Sequence, residues 1–111
     1  MASEEVPGEK WDWFLSGFSR QHAGNRISLE LRKPRLGTVV EVEDGKLEQV
    51  LYDDAGGERR ISIVVGDAPE SEHFTHVVEG PNRMRLRESE ELEIEAGEGT
   101  ILLRFRPGKA A

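Results

Sequence analysis

The sequence predicts a mainly β, or α+β, fold in which an N-terminal helix packs on a small antiparallel sheet of about seven strands. Two observations lead to this class. An apolar stripe with helical spacing is confined to the start of the chain, and after Gly24-Asn25 apolar and polar residues alternate with a period of two between turn signals. We expect this sheet to curl into a partly closed β-barrel, with the helix plugging one end or covering an open face.

Composition limits the chain to one domain and to few kinds of chemistry. Its 111 residues include 15 Lys and Arg, 22 Asp and Glu and no Cys, which gives a formal net charge of −7. A domain of this size has one core, and packing alone must stabilise it when no disulfide is available. The absence of cysteine excludes thiol catalysis and thiolate metal sites.

The patterning also predicts the boundaries and the surroundings of the domain. Residues 1–8 have no periodicity and are expected to form a disordered tail, residues 9–107 the single domain, and residues 108–111 a second tail. No secretory signal or long apolar run is present, so we expect a cytoplasmic protein. The negative charge argues against nucleic-acid and membrane partners, and acidic residues at 41–58 can neutralise the basic cluster at 20–35.

The helix is predicted to begin at Glu9 and to end at Ala23-Gly24. Gly17 inside it costs about 1 kcal/mol relative to Ala, so we expect the helix to depend on docking its aromatic face. Trp13 points away from that face. The members of the apolar stripe are Trp11, Phe14, Leu15, Phe18 and His22.

Five strands are predicted between the helix and residue 80. Asp44-Gly45 is a strong signal for a two-residue hairpin, and Gly80-Pro81 closes the last of these strands. A looser turn is expected at 53–57 and a polar loop at 66–72. The strands are expected at residues 26–32, 38–43, 46–52, 60–65 and 73–79.

The last thirty residues predict a three-stranded meander with a defined register. Arginines at 83, 85 and 87 alternate with apolar residues, and so do glutamates at 91, 93 and 95. A three-residue loop at 88–90 pairs arginine with glutamate and Leu86 with Leu92, whereas a two-residue loop mixes the two faces. A turn at Gly97-Glu98 then pairs Leu92 with Leu103 and Glu91 with Arg104. The arginine row therefore has partners within the sheet and is not expected to bind an anionic ligand.

Catalysis, cofactors and metals find little support in the sequence. His73 and His76 are three residues apart, so on a strand they point to opposite faces and do not form a metal site without a bend. The serines have no nucleophile-elbow context, and glycine-rich nucleotide-binding motifs are absent. We therefore predict no catalytic residue, no metal and no cofactor, although residues distant in sequence can still assemble an active site.

Four segments resemble a family of short bacterial proteins known only as a domain of unknown function. They are WDWFLSGFSRQHAG, ISIVVGD, HFTHVVEGPNRMRL and LEIEAGEGTILLRFRP, and the resemblance covers roughly residues 10–107. FSRQH and LLRFR are the most specific. The resemblance implies a bacterial, self-contained protein, transfers no catalytic residue, and makes residues 18–22 the first place to examine for function.

A protein-interaction or self-association module is the leading hypothesis. Trp13 would be a contact residue if it is exposed, whereas it could also fold down beside the helix. A small-ligand protein is the alternative, with a pocket between helix and sheet lined by Trp11, Phe18, His22 and His76. The candidate binding residues are Trp13, Phe18, Arg20, Gln21, His22 and His76.

Overall fold

The computed structural model describes residues 4–68, 71–88 and 91–105. This part of the chain forms one eight-stranded antiparallel sheet and one α-helix. Residues 4–8 lack any periodic pattern, yet two of them form the first strand, and short 3₁₀ turns lie at Gly8–Lys10 and Ala55–Gly57. The elements are β1 (Glu4–Glu5), α1 (Trp11–His22), β2 (Arg26–Lys33), β3 (Gly37–Asp53), β4 (Arg60–Ala68), β5 (Ser71–Glu79), β6 (Arg83–Leu86), β7 (Leu92–Ala96) and β8 (Gly99–Phe105).

The sheet is open, so the expected partly closed barrel is not formed. Its strand order is β1-β6-β7-β8-β2-β3-β4-β5, and no pairing within the described residues joins the end strands β1 and β5. Closure needs hydrogen bonds along both end strands, and within the described residues β1 has only two residues. The helix covers the apolar face instead.

The predicted hairpin at Asp44-Gly45 is wrong, because β3 runs through these residues as one strand of 17 residues. The first part of β3 pairs with β2 and the part from Lys46 onwards pairs with β4. Gly45 lies where the strand changes neighbours, and a Cβ there would collide with the side chain of Val65. Asp44 binds Arg26, whose Nε lies 3.0 Å from Asp44 Oδ1. The Asp44-Gly45 pair therefore marks a bulged crossing, the place where β3 passes from its neighbour β2 to its neighbour β4, and not a turn.

Arg26 of β2 forms ion pairs with both β3 and β4 at this crossing. Its Nη1 lies 2.9 Å from Asp67 Oδ2 on β4 in addition to the Asp44 contact on β3. The side-chain hydrogen bonds with Asp44 and Asp67 raise the pKa of Arg26 above its ordinary value. The basic cluster is thus partly neutralised by acidic residues of the following strands.

The core lies between one face of the sheet and α1. Leu15 and Phe18 of the helix are buried against apolar side chains at alternating positions of the strands. The sequence stripe is confirmed, since its other members Trp11 and His22 are buried and Phe14 is half-buried. The buried strand residues are Ile27, Leu29, Leu31, Val42, Leu47, Val50, Ile61, Ile63, Val65, Val78, Met84, Leu92, Ile94, Ile101 and Leu103.

The predicted meander register is confirmed at every described pair. Arg85 faces Glu93, Leu86 faces Leu92, and Leu92 faces Leu103, while the loop residues 89 and 90 lie outside the described residues. The predicted pair of Glu91 and Arg104 forms with 2.6 Å between Oε2 and Nε. On the outer face, Leu102 lies between Glu93 of β7 and Glu30 of β2 and is only 1% exposed.

The end of the helix and the connection that follows it are attached to β3 by hydrogen bonds to the β3 backbone, which replace those of a missing strand. Beyond Lys46, β3 has lost β2 as its neighbour, so its peptide groups on that side need other partners. The Ser19 hydroxyl accepts a hydrogen bond from Val50 N–H at 2.7 Å and donates one to Val50 C=O at 3.0 Å. The connection after the helix provides hydrogen-bond partners for Leu47 in the same way. The Leu47 carbonyl accepts a hydrogen bond from Gly24 N–H, and Leu47 N–H donates one to the Asn25 carbonyl.

Ser19→Ala should destabilise the fold by about 1–3 kcal/mol, because it leaves two polar groups of buried Val50 without their partner. Urea unfolding followed by circular dichroism measures this free energy. Ser16→Ala is the matched control, since Ser16 lies on the exposed side of the same helix, where its hydroxyl accepts an exposed hydrogen bond from the Arg20 guanidinium at 3.2 Å. Equal effects of the two substitutions would contradict this account of helix attachment.

Candidate functional site

A groove of about 250 Å³ runs along the outer side of α1, towards the end of β6. It lies on the side of the helix that does not contact β3. Most of its lining is apolar, and Arg20 is the one permanently charged residue among those that form it. The lining residues are Trp13, Phe14, Gly17, Phe18, Arg20, Gln21, His22 and Leu86.

The structure brings five of the six candidate binding residues together at this groove. Helical spacing explains this, because positions 13, 17, 20 and 21 and positions 14, 18 and 22 form two adjacent rows on α1. The sixth candidate, His76, lies on β5 beside the β7–β8 turn, with its Nε2 at 3.7 Å from Glu98 Oε2. The candidate residues at the groove are Trp13, Phe18, Arg20, Gln21 and His22.

The pocket expected between helix and sheet does not have its predicted lining. The groove includes Phe18 and His22 but neither Trp11 nor His76. Trp11 is part of the core, where its indole N–H donates to the Val6 carbonyl at 2.8 Å and its ring meets Tyr52 edge-on at 6.1 Å.

Trp13 forms the exposed wall of the groove. Its side chain is 77% exposed, so the interpretation in which it folds down beside the helix does not hold. The reason is positional, since Trp13 follows Trp11 by two residues and therefore lies about 200° around the helix from a core position. Large exposed aromatic side chains beside an apolar depression are typical of contact surfaces.

Gly17 leaves the middle of the groove open. A Cβ built at Gly17 would meet nothing nearer than the Arg20 guanidinium, at 4.0 Å. Packing within the domain therefore does not require glycine here, although glycine lowers helix stability by about 1 kcal/mol relative to alanine. The missing side chain gives the groove its depth next to Trp13.

His22 and Phe18 form the inner wall and are held rigidly. The His22 ring packs against Phe18 at 4.7 Å and against Phe105 of β8 at 4.5 Å between ring centroids. Its Nδ1 lies 3.3 Å from Asn25 Nδ2, in the connection to β2. This wall is therefore fixed by contacts with the sheet, whereas Arg20 and Gln21 at the rim are exposed.

Three residues that line the groove are not among the predicted binding residues. Gly17 carried a usable signal, because a glycine inside an amphipathic helix is costly without a local reason. Phe14 lies in the stripe assigned to the core and is only half-buried. Leu86 comes from β6, 64 positions beyond His22, and no spacing rule connects it with the helix.

The lining of the groove offers few groups for bond making or metal binding. Its lining offers no serine, threonine or carboxylate that would act with His22 as a nucleophile or acid–base partner. Across the described residues, no group of three or more His, Asp and Glu could hold a metal ion. The arginine row binds glutamates, as with Arg87 Nη1 at 3.1 Å from Glu93 Oε1, and Arg83 reaches Glu5 of β1 at 3.1 Å.

Comparison with known proteins gives a family without a known activity. A model of a family of unknown function (DUF5335) matches residues 2–111. The chain belongs to this family. The match confirms the resemblance noted in the sequence. A search of curated proteins and a search of solved structures both gave no match. Within the described residues, no helix of this family member is long and apolar enough to cross a membrane.

Gly17→Ala should stabilise the protein by about 0.4–1 kcal/mol, because alanine favours the helix and its methyl group enters open space. Thermal and urea unfolding measure the change. Gly24→Ala is the control, since its surroundings are equally open but its φ is 93°, a conformation that costs alanine about 1–2 kcal/mol. A destabilised Gly17→Ala protein would show that Gly17 serves the fold and not the groove.

Proposed function

We propose that this protein is a non-enzymatic interaction module that binds a short segment of a partner protein in the groove beside α1. The observation that carries the proposal is the 77% exposed Trp13 at the edge of an apolar groove opened by Gly17. Tryptophan is enriched among the residues that dominate binding energy, and exposed apolar surface of this kind is costly to keep without a use.

The size of the groove favours a side chain over a free small molecule. Pockets for drug-sized ligands occupy roughly 300–1,000 Å³ and enclose most of the ligand. The groove has about 250 Å³ and is open along one side. It therefore suits one or two apolar side chains that remain attached to a larger surface.

The charge at the rim suggests what accompanies those side chains. Arg20 is exposed at the end of the groove and shares only one described hydrogen bond, with Ser16 of its own helix. A guanidinium in this position can bind a carboxylate in a two-pronged geometry. We therefore propose a partner segment with an apolar side chain for the groove and an acidic residue near Arg20.

The cellular setting belongs to the same proposal. We propose a bacterial, cytoplasmic protein without nucleic-acid or membrane partners. The absence of cysteine from the sequence is compatible with a reducing compartment, and a net charge of −7 disfavours polyanionic surfaces.

Peptides selected from a random display library on the full chain should contain the apolar and acidic pair, and their Kd can be measured by calorimetry. Trp13→Ala should raise the Kd by about 30-fold, the effect of a typical dominant contact residue. Gly17→Leu should abolish binding, because the position opens into the groove and a Cβ there meets nothing nearer than the Arg20 guanidinium at 4.0 Å.

Leu36→Ala is the matched control for Trp13→Ala, since Leu36 is also 77% exposed but lies on the turn between β2 and β3. Its Kd should equal that of the unmodified protein. Selected peptides that bind Trp13→Ala and Gly17→Leu normally would contradict the proposal. A small molecule of defined mass retained in native mass spectrometry, and lost in Gly17→Leu, would favour the small-ligand alternative.

A further inference from the structure

The two ends of the sheet differ in how they are protected from pairing with another chain. At one end, β1 has only two residues, and both are glutamates. At the other end, β5 has nine residues and pairs with β4 in one unbroken register from Arg60↔Glu79 to Ala68↔Ser71. Short acidic strands resist edge-to-edge association, whereas long regular strands promote it.

The middle of β5 has few of the usual protective devices, and its glutamates lie towards the two ends of the strand. The strand contains no proline and no lysine, and its ladder with β4 has no bulge. Residues 74–78 carry no permanently charged side chain. On the outer face, Val77 is 39% exposed, and one strand separates it from Leu51, which is 46% exposed. This edge is therefore flat, regular and partly apolar.

One hydrogen bond establishes which peptide groups of β5 point to the open edge. Gly80 N–H donates to Arg59 C=O at 3.1 Å, which continues the β4–β5 ladder by one pair. Because hydrogen-bonded and non-hydrogen-bonded pairs alternate in an antiparallel ladder, Val78, His76 and Phe74 direct their peptide groups towards β4. Thr75, Val77 and Glu79 therefore direct theirs outwards, away from every strand that the structure describes.

We propose that β5 pairs antiparallel with β5 of a second copy of this chain, around a two-fold axis at His76. This register places Thr75 opposite Val77, so outward-directed peptide groups of both copies exchange hydrogen bonds. It also places His73 opposite Glu79 on the outer face and Phe74 opposite Val78 on the inner face. His76 lies opposite itself at the axis, and within each copy Glu79 also contacts Arg60 and His73 also contacts Glu48. The same patch therefore serves both copies, as an isologous interface requires.

The inference is independent of the groove beside α1, because no residue of β5 lines that groove. Pairing through β5 gives a dimer that carries two identical grooves, one on each copy. A single strand pair buries less surface than a standard stable interface, so we expect a weak dimer with a Kd on the order of 1–100 µM.

Sedimentation equilibrium of the full chain over roughly micromolar to millimolar concentrations tests the proposal, with the Kd range taken from the interface size. Val77→Lys should weaken the dimer at least tenfold, because it places two charges beside the two-fold axis. Leu51→Lys is the matched control, since it adds the same charge to the same face on the interior strand β3 and should leave the Kd unchanged. A monomer throughout, or equal Kd values for the two variants, would overturn the proposal.

Thr75→Pro gives a second test that acts on the backbone. It removes one outward N–H without removing a hydrogen bond to β4, so the protein should remain folded and become monomeric. Thr75→Val keeps the N–H and a similar shape and should remain dimeric. Dimerisation of Thr75→Pro as tight as that of Thr75→Val would count against pairing through this edge.

Cross-linking tests the register. Opposite residues of a non-hydrogen-bonded pair have Cα atoms about 4.5 Å apart, within the range for a disulfide. His76→Cys should therefore form a covalent dimer on mild oxidation, and the natural chain contributes no competing cysteine. A covalent dimer from Thr75→Cys and none from His76→Cys would overturn the proposed register.

Discussion

The two hydrogen bonds between Ser19 and the peptide groups of Val50 fix the position of α1 on the sheet. They exist because β3 leaves β2 at Asp44-Gly45 and continues beside β4, so the next part of β3 has one side without a strand. Unpaired peptide groups in a buried position are costly. The end of α1 and the connection to β2 replace the missing strand, and this fixes where the helix lies.

The alternation of hydrogen-bonded and non-hydrogen-bonded pairs between β3, β4 and β5 supports this arrangement independently. The Gly80 bond to Arg59 implies that Ile63 directs its peptide groups towards β5. Val50 lies opposite Ile63, so its own groups must point away from β4, which is where Ser19 binds them. With α1 fixed in this way, the aromatic face of the helix enters the core and its other side, with Trp13 and Gly17, forms the groove.

The sequence predicted the features that depend on neighbouring residues. The helix stripe and the meander register were recovered because helical spacing and alternating charge specify them over short distances. The crossing at Asp44-Gly45 was mistaken for a hairpin, since its cause lies in Arg26 and Val65, which are close only in the folded chain. The prediction of a partly closed barrel was wrong for a similar reason. Closure of a sheet depends on how strands that are distant in sequence pair with each other.

The candidate site shows the same division. Seven of the eight lining residues lie within α1, and five of them are among the six predicted candidates, because helical spacing places them together. Leu86 was missed because only the sheet brings β6 to the helix, and His76 was included although β5 carries it elsewhere. Ser19, within the same FSRQH segment, serves the fold, and its neighbours Phe18 and Arg20 line the groove.

The claim that the end of α1 completes the open side of β3 can be tested by amide hydrogen exchange. Val50 and Leu47 should exchange as slowly as Ile63 in the interior strand β4, because Ser19 and Asn25 hold their N–H groups. Ser19→Ala should accelerate the amide exchange of Val50 more than that of Ile63. Exchange of Val50 in the unmodified protein as fast as that of Gly37, at the exposed start of β3, would show that the helix is not attached in this way and that no preformed groove exists.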